Sequence, residues 1–498
     1  MDAHPQTYWE NIWKKFTQNK AGLSALALII LFLITAIYAP LLASSKPLAI
    51  QFEGVWYFPL FRYLFYTGLF TKSIDLFYNI LIFTFPLFIL GWICLSKKQA
   101  IRLIFILMLS VFQTALFIFL LQREPKDPAA DPILNQQQKK EIQLHVSKGE
   151  PAFLSWAEEL SYMTPYAKLN LLLHEQQILE QHRTLLSYQT NPHSLIPSLW
   201  QIEQIQALQE TERWESNLKT NPDQSEEINA KLAYAKDKRK WIEQHLSDLH
   251  FEWMPPLRHF HWEEDAGGDP LFNTQIPWWE QTRINGKDLS AALIFGTRTS
   301  LAVGILTILL SLSIGIPIGA LAGYCGGRTD LFTCRLIEIW ESMPTLFMLL
   351  MSISFLQTKS IFLVIGMIGL FGWTEFSRFI RGEFLKQKSL PYVEACRCLG
   401  FGNGRIMFSH LLPNALPPIL TLVPFAIMGA ISTEAALSFL GLGEEASASW
   451  GVLMDEGRSR FPAESSLLWP PAFLLTLLLV SIALVGDAFR DILDPKNH

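Results

Sequence analysis

AGLSALALIILFLITAIYAPLLA, the run from Ala21 to Ala43, contains no charged side chain. As a helix rising about 1.5 Å per residue it crosses a hydrocarbon layer about 30 Å thick. A cleaved secretory signal would have a shorter apolar part, about 7–15 residues, followed by a small-residue cleavage site. This run is longer and leads into Lys46-Pro47, so it reads as an uncleaved anchor. Just before it, Trp9, Ile12, Trp13 and Phe16 recur at helical spacing beside Lys14 and Lys15. That pattern suits a helix lying at the cytoplasmic membrane surface.

Working outward, apolar runs recur near 76–95, 101–121, 299–324, 336–358, 361–380, 413–440 and 467–487. With the anchor they make about eight spans, and the chain reads as an all-α polytopic membrane protein. Half of its 498 residues are hydrophobic, and the mean hydropathy is held to +0.23 by a polar block from about 122 to 262. The net charge of −5 therefore discriminates little. The placement of basic residues says more: Lys14, Lys15 and Lys20 precede the first span, Lys97, Lys98 and Arg102 separate the second and third, and Arg378, Arg381, Lys386, Lys388, Arg397 and Arg405 crowd one later loop. The positive-inside rule makes all of these loops cytoplasmic. Eight crossings from a cytoplasmic N-terminus satisfy that, and leave the C-terminus cytoplasmic too.

The expected organisation is a cytoplasmic interfacial segment (1–20), a first anchor (21–43), an external aromatic segment (44–75), two additional spans (76–121), an inserted external α-helical domain (122–262), a linker (263–298) and a membrane core (299–498) with a cytoplasmic loop at 382–413. In the insert, Leu171, Ile178 and Leu185 are seven apart, as are Leu172, Leu179 and Leu186. The residues between them are mostly polar, which describes an amphipathic helix burying one stripe. Segments 197–219 and 226–249 are also rich in helix formers, with Asn221-Pro222-Asp223 a turn between them. The aromatic run Trp56 to Phe70 reads as interfacial, with a short re-entrant or ninth span as the alternative. None of the five cysteines falls in the polar block, and Cys396-x-Cys398 lacks a second pair at zinc spacing, so neither a disulfide framework nor a metal site is expected.

The most informative stretch is Tyr392-Val393-Glu394-Ala395-Cys396-Arg397-Cys398-Leu399-Gly400, continuing to His410-Leu411-Leu412-Pro413-Asn414. Pro391 fits the first turn of a helix, where its missing N–H costs nothing, and Gly400 can take the left-handed conformation that ends one. The spacing predicts a short helix with Tyr392, Cys396 and Leu399 on one face and Glu394 and Arg397 turned away from it.

Glu394-Ala395, Gly400 six positions after the glutamate, and Leu412-Pro413 resemble the coupling motif of ABC import permeases, which is Glu-Ala-Ala, three residues, Gly, then Ile-x-Leu-Pro. His410 in place of that Ile is similar to the dipeptide/oligopeptide branch. Cys396 departs from the pattern by standing where the motif has its second Ala, though it keeps a small side chain. Other segments resemble the family in order: Gly323 to Asp330, Ile337 to Trp340, Met343-Pro344-Thr345, Ala435 to Gly443, Ser449-Trp450-Gly451, and Gly486-Asp487 through Leu493-Asp494-Pro495. Asn285 to Leu289 is similar to the Gly-Arg-Asp segment ahead of the family's first core span, with Lys287 for Arg. The likeness covers about 280–498 plus the anchor and is to the C-type member of the permease pair.

The resemblance implies a six-helix core in the cytoplasmic (inner) membrane and a translocation cargo of peptides, nickel or peptide-like compounds. It implies a second, B-type permease subunit, two cytoplasmic ABC ATPase subunits that hold ATP-Mg, and an extracytoplasmic substrate-binding protein. Tyr392, Glu394, Ala395, Cys396, Leu399, Gly400, His410, Leu412 and Pro413 would then couple this chain to the ATPase. The chain itself would be no enzyme and bind no cofactor, with membrane lipid but no nucleic acid as a partner. Gly286-Lys287-Asp288 lacks the glycine and the Ser or Thr of a phosphate loop. Ionisable residues within spans are expensive and so are functional candidates. Glu338 and Glu341 lie near Arg335 and suit pairing, whereas Glu434 is a candidate for the translocation path or for an interfacial structural role. A secondary transporter or channel working without ATPases is the alternative, but such proteins often show inverted repeats, and no repeat is evident here.

Overall fold

The computed structural model describes residues 8–70, 72–95, 99–123, 126–148, 153–189, 225–258, 260–261, 288–356, 358–444, 447–459, 461–462 and 465–493. The segment 197–219, the turn at Asn221-Pro222-Asp223, most of the 263–298 linker, Lys97, Lys98, Asn285 to Lys287 and Asp494-Pro495 lie outside them. So do the side chains of Ile178, Leu179, Leu185 and Leu186.

The elements are α1 (Tyr8–Gln18), α2 (Lys20–Leu42), β1 (Ala49–Phe52), β2 (Val55–Tyr57), α3 (Pro59–Tyr63), α4 (Ser73–Cys94), α5 (Gln99–Gln122), α6 (Pro132–Ser147), α7 (Trp156–Ser161), α8 (Pro165–Gln189), α9 (Ser225–His245) and β3 (Leu249–Trp253). They continue with α10 (Leu289–Cys325), α11 (Gly327–Glu341), α12 (Thr345–Leu356), α13 (Ile361–Lys388), α14 (Pro391–Cys398), α15 (Leu412–Leu420), α16 (Val423–Leu437), α17 (Trp450–Ser459) and α18 (Trp469–Leu493). Among the described residues, seven helices are long and apolar enough to cross a membrane, and an eighth span results if α11 and α12, bent by 69°, count as one.

Prolines set where the spans differ from the expected runs. The 336–358 run is not one helix, because Pro344 cannot continue α11 and the chain restarts at Thr345. The 413–440 run is likewise divided: α15 carries Pro417 and Pro418 and ends at Leu420, and α16 restarts with a proline in its first turn. In the other direction, α10 begins ten residues before the expected 299, where the Asp288 carboxylate accepts the Ala291 N–H at 2.7 Å as an N-cap.

The chain divides into two compact units, residues 1–36 with 295–498, and residues 37–294. In the first, Phe16 of α1 stacks on Phe489 of α18 with ring centroids 5.0 Å apart. Ile12 and Phe16 are buried while Trp13 is exposed, so α1 is two-faced as its spacing implies. The centre of this unit is the contact of α10 with α13. Gly315, Gly319 and Gly323 recur every fourth residue on one face of α10. A Cβ at Gly315 would lie 2.6 Å from the Trp373 carbonyl oxygen and one at Gly323 2.7 Å from that of Arg381, while at Gly319 it would meet the Ser377 carbonyl. The absence of three side chains lets two backbones touch, the usual device for close helix packing in membranes.

The second unit contains a three-stranded antiparallel sheet, order β2-β1-β3. Glu53 and Gly54, with φ of 49° and 77°, form a two-residue hairpin turn between β1 and β2. Ile50 and Phe52 of β1 pack with Tyr63, Tyr166, Leu169, Leu172, Leu173 and Ile242, so the amphipathic helix α8 covers one face of the sheet. Residues 49–57 lie in the expected aromatic segment and 249–253 in the expected α-helical insert, yet they form one sheet, with 49–52 paired to both 55–57 and 249–253. Neither edge shows the alternation that betrays a half-buried strand, because aromatic residues occupy both faces. The two additional spans, α4 and α5, form a helical hairpin joined by a buried hydrogen bond from Thr84 Oγ1 to Gln113 Oε1, 2.9 Å.

Candidate functional site

Helix α14 begins on Pro391, with Leu390 extended before it. At its other end the Gly400 N–H donates to the Arg397 carbonyl at 2.9 Å and the Phe401 N–H to the Cys396 carbonyl at 3.1 Å. Those two bonds with Gly400 at φ 77° make a Schellman cap, which only glycine adopts without strain. The sequence signals at both ends of this helix therefore act as expected.

Its faces are arranged differently from the expectation. Val393 is the fully buried residue, and Tyr392 and Cys396 pack beside it against a core that includes Phe384, Ile406, Met407 and Leu411. Leu399 is 71% exposed and does not share their face. Glu394, Ala395, Arg397 and Cys398 are also exposed, so the free surface is small and mixed in character. Leu399 still makes the helical bond, its N–H donating to the Ala395 carbonyl at 3.0 Å, but the core that covers Tyr392, Val393 and Cys396 does not reach it at the last turn.

Phe401 organises the chain between the cap and α15. Its ring is covered by the Arg405 guanidinium, 4.4 Å from the centroid, and is stacked on the His410 ring at 5.5 Å and 8°. Residues Ile406–Leu411 form a wide π-type turn, and Leu412 and Pro413 open α15. His410 thus supports the loop through its ring face rather than pointing outward.

The frame beneath this loop is polar and dense. The Tyr324 hydroxyl donates to Asn403 Oδ1 at 2.8 Å, Lys388 donates to the Tyr324 carbonyl, and the Tyr392 hydroxyl donates to Gln387 Oε1 at 3.0 Å. Arg381 holds Asp330 through two bonds, the Nη2–Oδ2 one at 2.8 Å, and Arg378 pairs with Glu341. Glu338 pairs with Arg335 at 2.5 Å. Arg378 and Arg381, two of the basic residues crowded near this loop, thereby brace α11 against α13.

Glu434 lies apart from this loop. It is 1% exposed, and its Oε1 accepts the Ser438 and Ser449 hydroxyls, each at 2.7 Å. Oε2 has no partner among the described residues. It sits in the seam where α17 meets α16, a contact so close that a Cβ on Gly451 would fall 2.6 Å from the Ala435 carbonyl oxygen. One residue that sequence reasoning missed is Arg298. It is fully buried and its Nε donates to the Ala36 carbonyl at 2.7 Å. The signal was present in Pro40, which cannot supply the helical N–H that Ala36 would otherwise receive.

Several helices long and apolar enough to span a membrane, with a short, capped and exposed helix between two of them, define a polytopic helical membrane protein. Residues 315–498 match the family described as the binding-protein-dependent transport system inner membrane component, and residues 7–55 match the N-terminal TM domain of oligopeptide transport permease C. The oligopeptide transport system permease protein OppC of Haemophilus influenzae is 37% identical over 44% of this chain and 70% of its own length. For the inner membrane ABC transporter permease protein YejE of Escherichia coli the identity is 34%, over 52% of this chain and 76% of that one. The peptidoglycan transport system permease protein YejE of Agrobacterium fabrum is 39% identical, over 44% of this chain and 57% of that one. Among solved structures, inward-facing MetNI methionine ABC transporter shares 19% identity at a TM-score of 0.35, over 40% of this chain and 96% of that one. The chain belongs to the permease family of ABC importers, as a C-type subunit of its oligopeptide and dipeptide branch. It is an integral membrane protein and the permease component, not the catalytic one.

Proposed function

We propose that this subunit translocates peptides or peptide-like compounds handed over by an extracytoplasmic binding protein, in a pore shared with a B-type permease. In this reading α14 and the turn after it, from Tyr392 to Pro413, dock into one of two cytoplasmic ATPase subunits that hold ATP-Mg. The observation that carries it is the exposed, Schellman-capped α14 with Glu394, Ala395 and Leu399 free on its surface. Tyr392, Cys396, Gly400, His410, Leu412 and Pro413 fix its posture from beneath. Glu434 contributes to the path indirectly, by holding α17 on α16. ATP drives the cycle only if it binds the inward and outward states with different affinity. A rigid connection from the docking helix to the core is what transmits that difference.

The names of the relatives support the cargo class, since those proteins are described as permeases for oligopeptides, dipeptides, glutathione and peptidoglycan. The basic loops support an inner membrane placement with both termini in the cytoplasm. The test is co-purification and uptake in proteoliposomes with the partner subunits. Glu394→Lys is expected to lose both the retained ATPase and ATP-driven peptide uptake while the permease pair stays assembled. Uptake and ATPase retention at the unsubstituted level would refute the docking role.

A further inference from the structure

An antiparallel sheet with one face on the core ordinarily turns polar side chains outward on the other. The sheet of the second unit does so only in part, with Gln51 and His250 sharing its outer face with three large aromatic rings. With Ile50 and Phe52 inward, the outer face carries Trp56, Phe251 and Trp253, which are 52%, 75% and 66% exposed. The rings of Trp56 and Phe251 lie 6.2 Å apart. Phe251 holds a φ of 50°, a conformation that bulky residues avoid, at the irregularity where β3 shifts register against β1. Backbone strain is accepted there to set an aromatic ring facing outward.

The position of this face is fixed by chain continuity. The spanning helix α2 ends at Leu42, whose carbonyl accepts the Leu257 N–H at 3.0 Å, and the Leu48 N–H donates to the Trp253 carbonyl at 2.8 Å. The sheet is thus hydrogen-bonded to the end of a span. The loop between the sheet and α4 goes deeper. Helix α4 has 22 residues, about 33 Å at helical rise, so it just crosses the hydrocarbon layer and its eleventh residue, Phe83, lies near mid-depth. The Phe65 ring is 6.3 Å from the Phe83 ring, and both are substantially exposed.

Non-helical backbone at that depth survives only if its polar groups are taken up by protein. Here they are: the Leu64 carbonyl accepts the side-chain amide of Asn79, itself fully buried, at 2.7 Å, and the Tyr66 and Phe70 N–H groups bond to carbonyls within the loop. The one basic side chain of α3, Arg62, lies over the Tyr166 ring of α8 at 4.5 Å, so its charge is carried toward the polar insert.

We propose that Phe58, Phe61 and Phe65 are immersed in phospholipid acyl chains beside α4, and that Trp56, Phe251 and Trp253 rest at the headgroup boundary above them. The occupant of this face is the bilayer. The insert is thereby seated on the membrane by its own sheet, with the aromatic residues at the level that Trp favours.

The test is nitroxide labelling of the full-length protein in phosphatidylethanolamine–phosphatidylglycerol liposomes, with the five native cysteines replaced. Labels go at Phe65→Cys, Trp253→Cys and, as a water-exposed reference, Lys140→Cys on α6; Phe61→Cys substitutes if Phe65→Cys fails to assemble. Relative to position 140, the label at 65 loses collision with a water-soluble nickel chelate while keeping collision with oxygen, and the label at 253 shows a partial loss of nickel collision. Nickel collision at either position equal to that at 140 overturns the proposal. Loss of both oxygen and nickel collision also overturns it, because that result means protein covers the face.

Discussion

Pro40 and Arg298 form a pair that neither residue type suggests alone. Pro40 lacks the N–H that would bond to Ala36, and the Arg298 Nε fills that carbonyl instead, while the guanidinium lies 5.0 Å from the centre of the Phe295 ring. A buried acceptor left without a donor costs about 1–3 kcal/mol. Arg298→Met is therefore expected to lower the melting temperature of the detergent-purified protein, and Pro40→Ala to recover part of the loss by restoring a helical N–H. An additive double substitution would disprove the pairing. At Gly400 the argument is conformational. No atom lies within 4 Å of an added Cβ, so Gly400→Ala meets only the left-handed penalty, about 1–2 kcal/mol. A measurable weakening of ATPase retention with normal membrane assembly is the expected result.

Between elements, the glycine face of α10 decides how closely α13 approaches. Its three contacts are with backbone carbonyls, which cannot step aside as a flexible side chain would. Overpacking of this kind costs about 1–3 kcal/mol. Gly319→Val should reduce the yield of folded protein more than Gly366→Val, since Gly366 has open space around its Cβ position. Equal yields would remove the glycine face from the account. Helix α14 was legible in sequence through Pro391 and Gly400, because caps are local. Which of its residues stay exposed was not legible, because Val393 is turned inward by a core assembled from α13, α15 and the π-type turn.

At the scale of the molecule, sidedness joins the charge pattern to the order of elements. Spans α2, α4 and α5 precede the insert, so a cytoplasmic N-terminus makes the insert external. Exposed Cys398 on α14 supplies a native reporter for the opposite side. In right-side-out vesicles, an impermeant maleimide is expected to label Lys140→Cys before lysis and Cys398 only after it. The reverse order would overturn the topology and, with it, the placement of the docking loop.

The sequence by itself determined that this chain carries many membrane-spanning segments, where its basic loops cluster, and which short helix carries the family's coupling pattern. Those features depend on composition over a window, on charge, or on caps a few residues long. Only the tertiary structure decided that residues 49–57 and 249–253 make one sheet, that Arg298 repairs the carbonyl freed by Pro40, and that Glu434 is closed within a helix seam. Each of these joins residues through hydrogen bonds or burial that no local window contains, and in the sheet and at Arg298 the partners are far apart along the chain.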